Sequence, residues 1–205
     1  DELIPSGETS SYRSNPLRLA EFTLSRRDPG YVGRAKANHR EALALQKGEV
    51  SPEVAGVLEA LQAAGVEAKP DDISLGSAVY ANKPGDGSAR EQAASCQKVL
   101  GGIANLCYEY ATKRYRSNCI NWGIVPFTLD KDAKFDYEDG DMVFVPGVRK
   151  AIEQGVEKMQ GKVIRKNGAL EDIALYVKGL TADEKEILLD GCLMNYYAQQ
   201  NRKNK

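Results

Sequence analysis

The sequence predicts an α/β domain with a mixed sheet and flanking helices. Two patterns carry this. Segments of helical period alternate with short apolar runs through the first half, and a late Asn167-Gly168 pair sits between two strand-like runs. The length, 205 residues, suits one domain spanning residues 1–205 that buries a core without staples.

Residues 1–30, rich in Ser, Pro, Gly and Arg, read as extended loop with short ordered pieces. A helix is expected from about Gly33 to Gln46, with Gly48 as its stop. Ser51 as N-cap, Pro52 at the first helical position and Glu53 at the positive end of the dipole open a second helix. Val54, Val57, Leu58 and Leu61 recur at helical spacing, and Gly65 ends the run. Ile73 to Tyr80 reads as a strand between Pro70-Asp71-Asp72 and Asn82-Lys83-Pro84-Gly85. A helix from about Ala89 to Leu100 follows, closed by Gly101-Gly102. Ile103 to Tyr108 is then a second strand, and Ala111 to Trp122 a helix stopped by Gly123. Phe135 to Val145 holds a strand with Met142–Val145 as its buried part, and Ala151 to Met159 a short helix. Lys162–Lys166 and Leu170–Val177 flank Asn167-Gly168 as a hairpin with both turn residues at positive φ. Thr181 with Glu184 forms a capping box that opens a final helix to about Gln200.

Composition narrows the function. Lys plus Arg is 28 against 29 Asp plus Glu, and no basic patch is interleaved with aromatics, which argues against a nucleic-acid partner. The apolar runs are far too short for a membrane span, and no signal-peptide pattern opens the chain. Cys96, Cys107, Cys119 and Cys192 form no C-x-x-C pair, so a metal site made by this chain alone is not expected. Buried free thiols in a reducing cytoplasm are the plain reading. The chain opens at Asp1 rather than Met and is expected to be a fragment of a longer polypeptide.

The segment that can carry chemistry is Gly85-Asp86-Gly87-Ser88-Ala89-Arg90-Glu91-Gln92-Ala93-Ala94, between a predicted strand and a predicted helix. Helix-start amides point outward with partial positive charge and bind anions, an alkoxide included. Glycines allow a sharp turn and close approach of a ligand. A serine here could have a lowered proton affinity, and an arginine one turn on could clamp a carboxylate through two parallel hydrogen bonds. The bland alternative is a capping box of Ser88 with Glu91 and a solvated Arg90. The Gly-x-Gly fragment lacks the lysine and spacing of a P-loop.

Residues Gly87–Ala94 resemble the Gly-Ser-Ser-Arg-Glu-His-Ala-Ala segment in the last domain of the aconitase family. Gly101-Gly102 matches that family's Gly-Gly after the same helix. Trp122-Gly123-Ile124-Val125-Pro126-Phe127 is similar to its Gly-Leu-Leu-Pro-Leu stretch. Asp1-Glu2-Leu3-Ile4-Pro5-Ser6-Gly7 is similar to its Asp-His-Ile-x-x-x-Gly, and the family's substrate-binding arginine six residues past that glycine falls on Arg13. Leu180–Tyr197 resembles its closing helix. The resemblance covers nearly the whole chain, in order.

The resemblance implies a swivelling β/β/α domain of aconitase type and hydro-lyase chemistry on a hydroxy-di- or tricarboxylic acid. It implies Ser88 as the catalytic base and Arg13 and Arg90 as carboxylate binders. Ala89 stands where the family has a second serine, and Gln92 where it has a histidine; these departures bear on the substrate more than on the reaction. The family's 4Fe-4S cluster is expected in the complete enzyme, with its cysteines outside this chain. The expected partners are N-terminal aconitase-like domains of the same polypeptide, or a separate large subunit as in isopropylmalate dehydratases. A non-catalytic binding module on the same fold is the alternative of another class.

Elsewhere, His39 reads as a surface residue, and Tyr108, Tyr110 and Tyr115 as packing beside the second strand. The acidic stretch from Asp130 to Asp141 reads as a solvated loop, since its spacing does not fit a calcium loop. Arg26 and Arg27 either approach the site or pair with acids.

Overall fold

The structure, a computed structural model, describes residues 2–204. Asp1 of the opening motif lies outside the described residues.

The N-terminal region forms a 3₁₀ turn at Ser10–Tyr12 and three helices, α1 (Pro16–Ala20), α2 (Tyr31–Gln46) and α3 (Pro52–Ala63). Helix α3 starts as its sequence dictates: the Ser51 side chain accepts from the Val54 amide at 3.3 Å, with Pro52 in the first turn. Two β-α-β units follow: β1 (Ser77–Ala81), α4 (Arg90–Val99), β2 (Gly102–Cys107), α5 (Lys113–Asn121) and β3 (Val125–Thr128). Then come β4 (Met142–Phe144), α6 (Val148–Gln154), β5 (Lys158–Ile164), β6 (Leu170–Tyr176), α7 (Ala182–Asp190) and α8 (Leu193–Lys203).

The six strands make one sheet in the order β1-β2-β3-β6-β5-β4. β1, β2 and β3 run parallel; β6, β5 and β4 are antiparallel neighbours. The halves meet at β3 and β6, where Thr128 pairs with Tyr176. This is the mixed α/β sheet with flanking helices that the alternating pattern predicts.

The buried apolar residues form two cores. Ile4, Leu19, Ala20, Ala35, Ala94 and Ile124 belong to the core around α1, α2, α4 and α5. Leu106 of β2 and Phe127 of β3 join Ile152, Val163, Ile173 and Leu175 in the second core, which therefore takes residues from the strands of both halves. Helix α4, with Ser88 in the loop just before its N-cap, rides on the parallel half, where crossovers leave the strand ends open for a site.

Five expectations differ from the structure. β1 begins at Ser77, four residues late, after a 3₁₀ turn at Pro70–Asp72. β3 was not expected at all. The short helix ends at Gln154, because Gly155 takes the left-handed conformation, and β5 starts at Lys158 inside the range expected to be helical. The Asn167-Gly168 turn has only Gly168 at positive φ (85°), with the Gly168 amide donating to the Arg165 carbonyl at 2.9 Å. That is a type I turn with a bulge glycine rather than a turn with both residues left-handed. The closing helix is two helices: the Thr181/Glu184 capping box forms, but Gly191 at φ 94° and extended Cys192 break the run.

Candidate active site

Between β1 and α4 the chain turns sharply through residues 82–89. Pro84 and Gly85 are buried, and Gly85 has φ 100°. A Cβ there would lie 2.4 Å from the Tyr115 ring, so glycine is required both by conformation and by space. The Gly85 carbonyl accepts two hydrogen bonds, from Arg90 Nε at 3.1 Å and from Thr112 Oγ1 at 3.0 Å. Arg90 Nη2 donates to the Asp86 carbonyl at 3.4 Å, and the Ala111 amide donates to the Pro84 carbonyl at 2.9 Å. The loop is therefore tied to the starts of both α4 and α5.

Ser88 is exposed, one residue before the N-cap, and among the described residues its hydroxyl has no hydrogen-bond partner. The N-cap is Ala89, with no side-chain cap. The capping-box alternative is not realised, because Glu91 turns to α5: it accepts from Trp122 Nε1 at 2.6 Å and from Asn118 Nδ2 at 2.5 Å. The first-turn amides of α4 thus keep their outward donors unoccupied by any cap, beside the Ser88 hydroxyl. Arg90 is half-buried and uses two of its five N–H donors on loop carbonyls, leaving three for a carboxylate.

Arg13 closes the 3₁₀ turn Ser10–Tyr12, is exposed, and has no ion pair among the described residues. Its neighbour Tyr12 stacks on Phe22, ring centroids 5.4 Å apart, under the Arg18 guanidinium. Tyr12 and Ala89 both pack on the first core, and among the described residues no hydrogen bond or ion pair joins Arg13 to Ser88 or Arg90. Arg26 and Arg27 are accounted for otherwise, in ion pairs with Glu8 at 2.8 Å and Glu2 at 2.5 Å. A cleft of about 1820 Å³ runs along the open sheet face, with Gly85, Gly87, Ala89 and Arg90 in its wall. Ser88 and Arg13 stand outside that wall.

Sequence reasoning missed what supports the loop. Gln97 Nε2 donates to Asn105 Oδ1 at 2.6 Å, and Asn105 Nδ2 to Tyr115 Oη at 3.2 Å, all buried. Thr112 caps α5 by accepting from the Tyr115 amide at 3.1 Å. A threonine directly before a helix is the signal that could have found it.

Burial pushes the thiols of Cys96 and Cys107 up to about 11 and that of Cys119 to about 12. Among the described residues no group of three His, Cys, Asp or Glu is placed to hold a metal, and no helix is long and apolar enough to cross a membrane. His39 is half-buried rather than a free surface residue, and its ring sits against Gly101. The acidic loop is tied by ion pairs rather than simply solvated: Arg165 reaches Asp136, Asp141 and Glu171.

No family model matches the chain. Over 119 residues it is 32% identical to a sequence of Emericella nidulans named as a mitochondrial aconitate hydratase, a match covering 57% of this chain and 15% of that one. Over 124 residues it is 33% identical to a 3-isopropylmalate dehydratase small subunit of Metallosphaera sedula, covering 60% of this chain and 66% of that subunit. The chain thus spans less than two thirds of these relatives. Its fold is similar to the crystal structure of a 3-isopropylmalate dehydratase of Methanocaldococcus jannaschii, with a TM-score of 0.55 and 21% identity over all of this chain and 88% of that one.

Proposed function

We propose that this chain, similar to aconitate hydratases and to a small dehydratase subunit, is the swivelling domain of an aconitase-type hydro-lyase. Residues 1–205 form that one domain. It acts on a hydroxy-di- or tricarboxylic acid, in a site completed by cluster-bearing domains or by a large subunit.

The observation that carries the reading is the exposed, unbonded Ser88 beside the uncapped start of α4, with Arg90 held against the same loop. In the proposed chemistry Ser88 takes the proton from the carbon next to a carboxylate. A serine is a poor base in water, and the helix-start amides and a neighbouring guanidinium are what lower the cost of its alkoxide. Arg90, through its three spare donors, and Arg13 hold the carboxylates. As the proton leaves, negative charge builds on the carboxylate, and donors already in place stabilise it without reorganising. Ala89 offers no hydroxyl to the substrate, which points to a related hydroxy acid rather than to lost chemistry.

The reading includes a 4Fe-4S cluster in the complete enzyme, supplying the Lewis acid for the leaving hydroxyl. The thiols of this chain do not fit as its ligands: among the described residues no three His, Cys, Asp or Glu come together to hold a metal, and Cys96, Cys107 and Cys119 are buried. A reducing, cytoplasmic setting belongs to the same reading.

The test is Ser88→Ala in the full-length protein, assayed for dehydration of a panel of hydroxy-di- and tricarboxylates. Turnover should fall about 10²- to 10⁴-fold, with little change in melting temperature because the side chain is exposed. Near-normal turnover in that variant overturns the assignment. A second reading, a separate small subunit, is favoured by the match covering 66% of such a subunit against 15% of a fused hydratase. Co-purification of a separately encoded large subunit from the native source distinguishes the two.

A further inference from the structure

We infer that Thr112 is a positioning residue for the serine loop, and that the Gly85 carbonyl is the point through which it acts. The clause about catalysis rests on the hydro-lyase reading; the geometry does not.

One threonine hydroxyl does two jobs. As acceptor it caps α5 through the Tyr115 amide at 3.1 Å, and as donor it holds the Gly85 carbonyl at 3.0 Å. That carbonyl is also where Arg90 Nε is anchored, at 3.1 Å. Beneath it lies the Tyr115 ring, whose hydroxyl accepts from Asn105, itself the acceptor of Gln97 in the third turn of α4. Helix α4 is therefore tied at both ends to one buried column, and the loop carrying Ser88 rests on top of it. A carbonyl with two donors has both lone pairs committed, so the peptide plane at Gly85 is fixed. With the plane fixed, Arg90 keeps its inner nitrogens on the loop and turns its outer ones toward a ligand. Glycine at φ 100° supplies no side chain to hold that plane, so the restraint must come from outside the loop. Thr112 supplies it from an element 27 residues away in sequence.

The two jobs separate by substitution. Thr112→Asp keeps the acceptor, and aspartate caps helices as well as threonine does, but it has no proton to give to Gly85. Thr112→Ser and Thr112→Asn can do both. Two readouts are made on the full-length protein. The first is hydrogen exchange at the Ala111 amide, whose acceptor is the Pro84 carbonyl of the loop. The second is kcat and KM with the hydroxy acid turned over by the wild type.

In Thr112→Asp the Ala111 amide should exchange at least about tenfold faster while the Tyr115 amide stays protected. kcat should fall on the order of 10- to 100-fold, as a misplacement near 1 Å costs, and Ser and Asn should restore both. Unchanged exchange at Ala111 in Thr112→Asp overturns the inference, because a residue that only caps α5 is fully replaced by aspartate. Faster exchange with no loss of kcat removes the catalytic clause. Faster exchange in a protein whose wild type turns over no hydroxy acid keeps the positioning and sinks the hydro-lyase reading instead.

Discussion

Three buried thiols lie under the serine loop's half of the sheet, and their chemistry sets how the fold answers to alkali. Cys96, Cys107 and Cys119 are held protonated by burial, at about 11, 11 and 12 against an ordinary value near 9. In the unfolded chain they ionise first, so between pH 9 and 12 the native state binds more protons and stability falls as pH rises. Tyr110 and Tyr115, also raised by burial, act in the same sense, while half-buried Lys98, lowered by burial, acts against it. The urea midpoint should be flat from pH 7 to 8.5 and drop steadily above 9, with a shallower drop in Cys119→Ala; a level midpoint at pH 10.5 contradicts this. At this scale the sequence pointed to the candidate residues. Ser88 and Arg90 stand out from residue type and spacing at a loop-to-helix junction, and Arg13 only through the resemblance to the aconitase family. What it concealed is which helix-start position each residue takes. Ser88 with Glu91 is a capping box on paper, yet Trp122 and Asn118 from α5 claim Glu91, and no local pattern reports a partner 27 or 31 residues away. The Thr112 bond to Gly85 was hidden for the same reason.

Elements were legible where local chemistry decides and not where tertiary contact does. The starts of α3 and α7 follow their caps, and α2 stops just before Gly48 at φ 83°. β3 was invisible because four residues containing Pro126 have no period to read; it exists because it lies between β2 and β6. The break between α7 and α8 was marked by Gly191, but helical spacing on both sides hid it. Its cause is a close approach of backbones. A Cβ on Gly123, at the end of α5, would lie 1.8 Å from the Gly191 carbonyl oxygen. Gly123→Ala must therefore push the α7–α8 corner off α5 and adopt φ 74° with a side chain, costing roughly 3 kcal/mol. Gly168→Ala is the control. It has φ 85° but nothing within 4 Å, so it carries only the left-handed penalty of about 1 kcal/mol. Urea denaturation of the two variants should separate them by about 2 kcal/mol; equal losses mean that the corner yields freely.

On the scale of the whole molecule, the chain is two half-sheets that share the second core and meet at a narrow seam. Across that seam the ladder pairs Thr128 with Tyr176, and the Thr128 hydroxyl reaches the Tyr176 carbonyl at 3.5 Å. Helix α5 of one half leans on α7 of the other, and there Arg116 spans the gap. It donates to the Lys178 carbonyl at 2.6 Å and pairs with Glu184 at 3.6 Å, with both charged side chains only 21% exposed. Such a pair is shielded enough that losing the arginine leaves a carboxylate and a carbonyl poorly satisfied, at roughly 1–2 kcal/mol. The loss should not be shared evenly. The parallel half keeps its crossover helices and the buried Gln97–Asn105–Tyr115 column, whereas the antiparallel half loses a tether at its edge. In Arg116→Ala, native-state hydrogen exchange should therefore quicken in β5 and β6 well before it does in β1 and β2. Glu184 also serves the capping box of α7, so Glu184→Gln, which keeps both box hydrogen bonds possible but removes the charge, should reproduce part of the effect without unravelling the helix. Equal quickening in both halves shows instead that the seam transmits stability as one cooperative unit, and that Arg116 contributes to the sum rather than to the join.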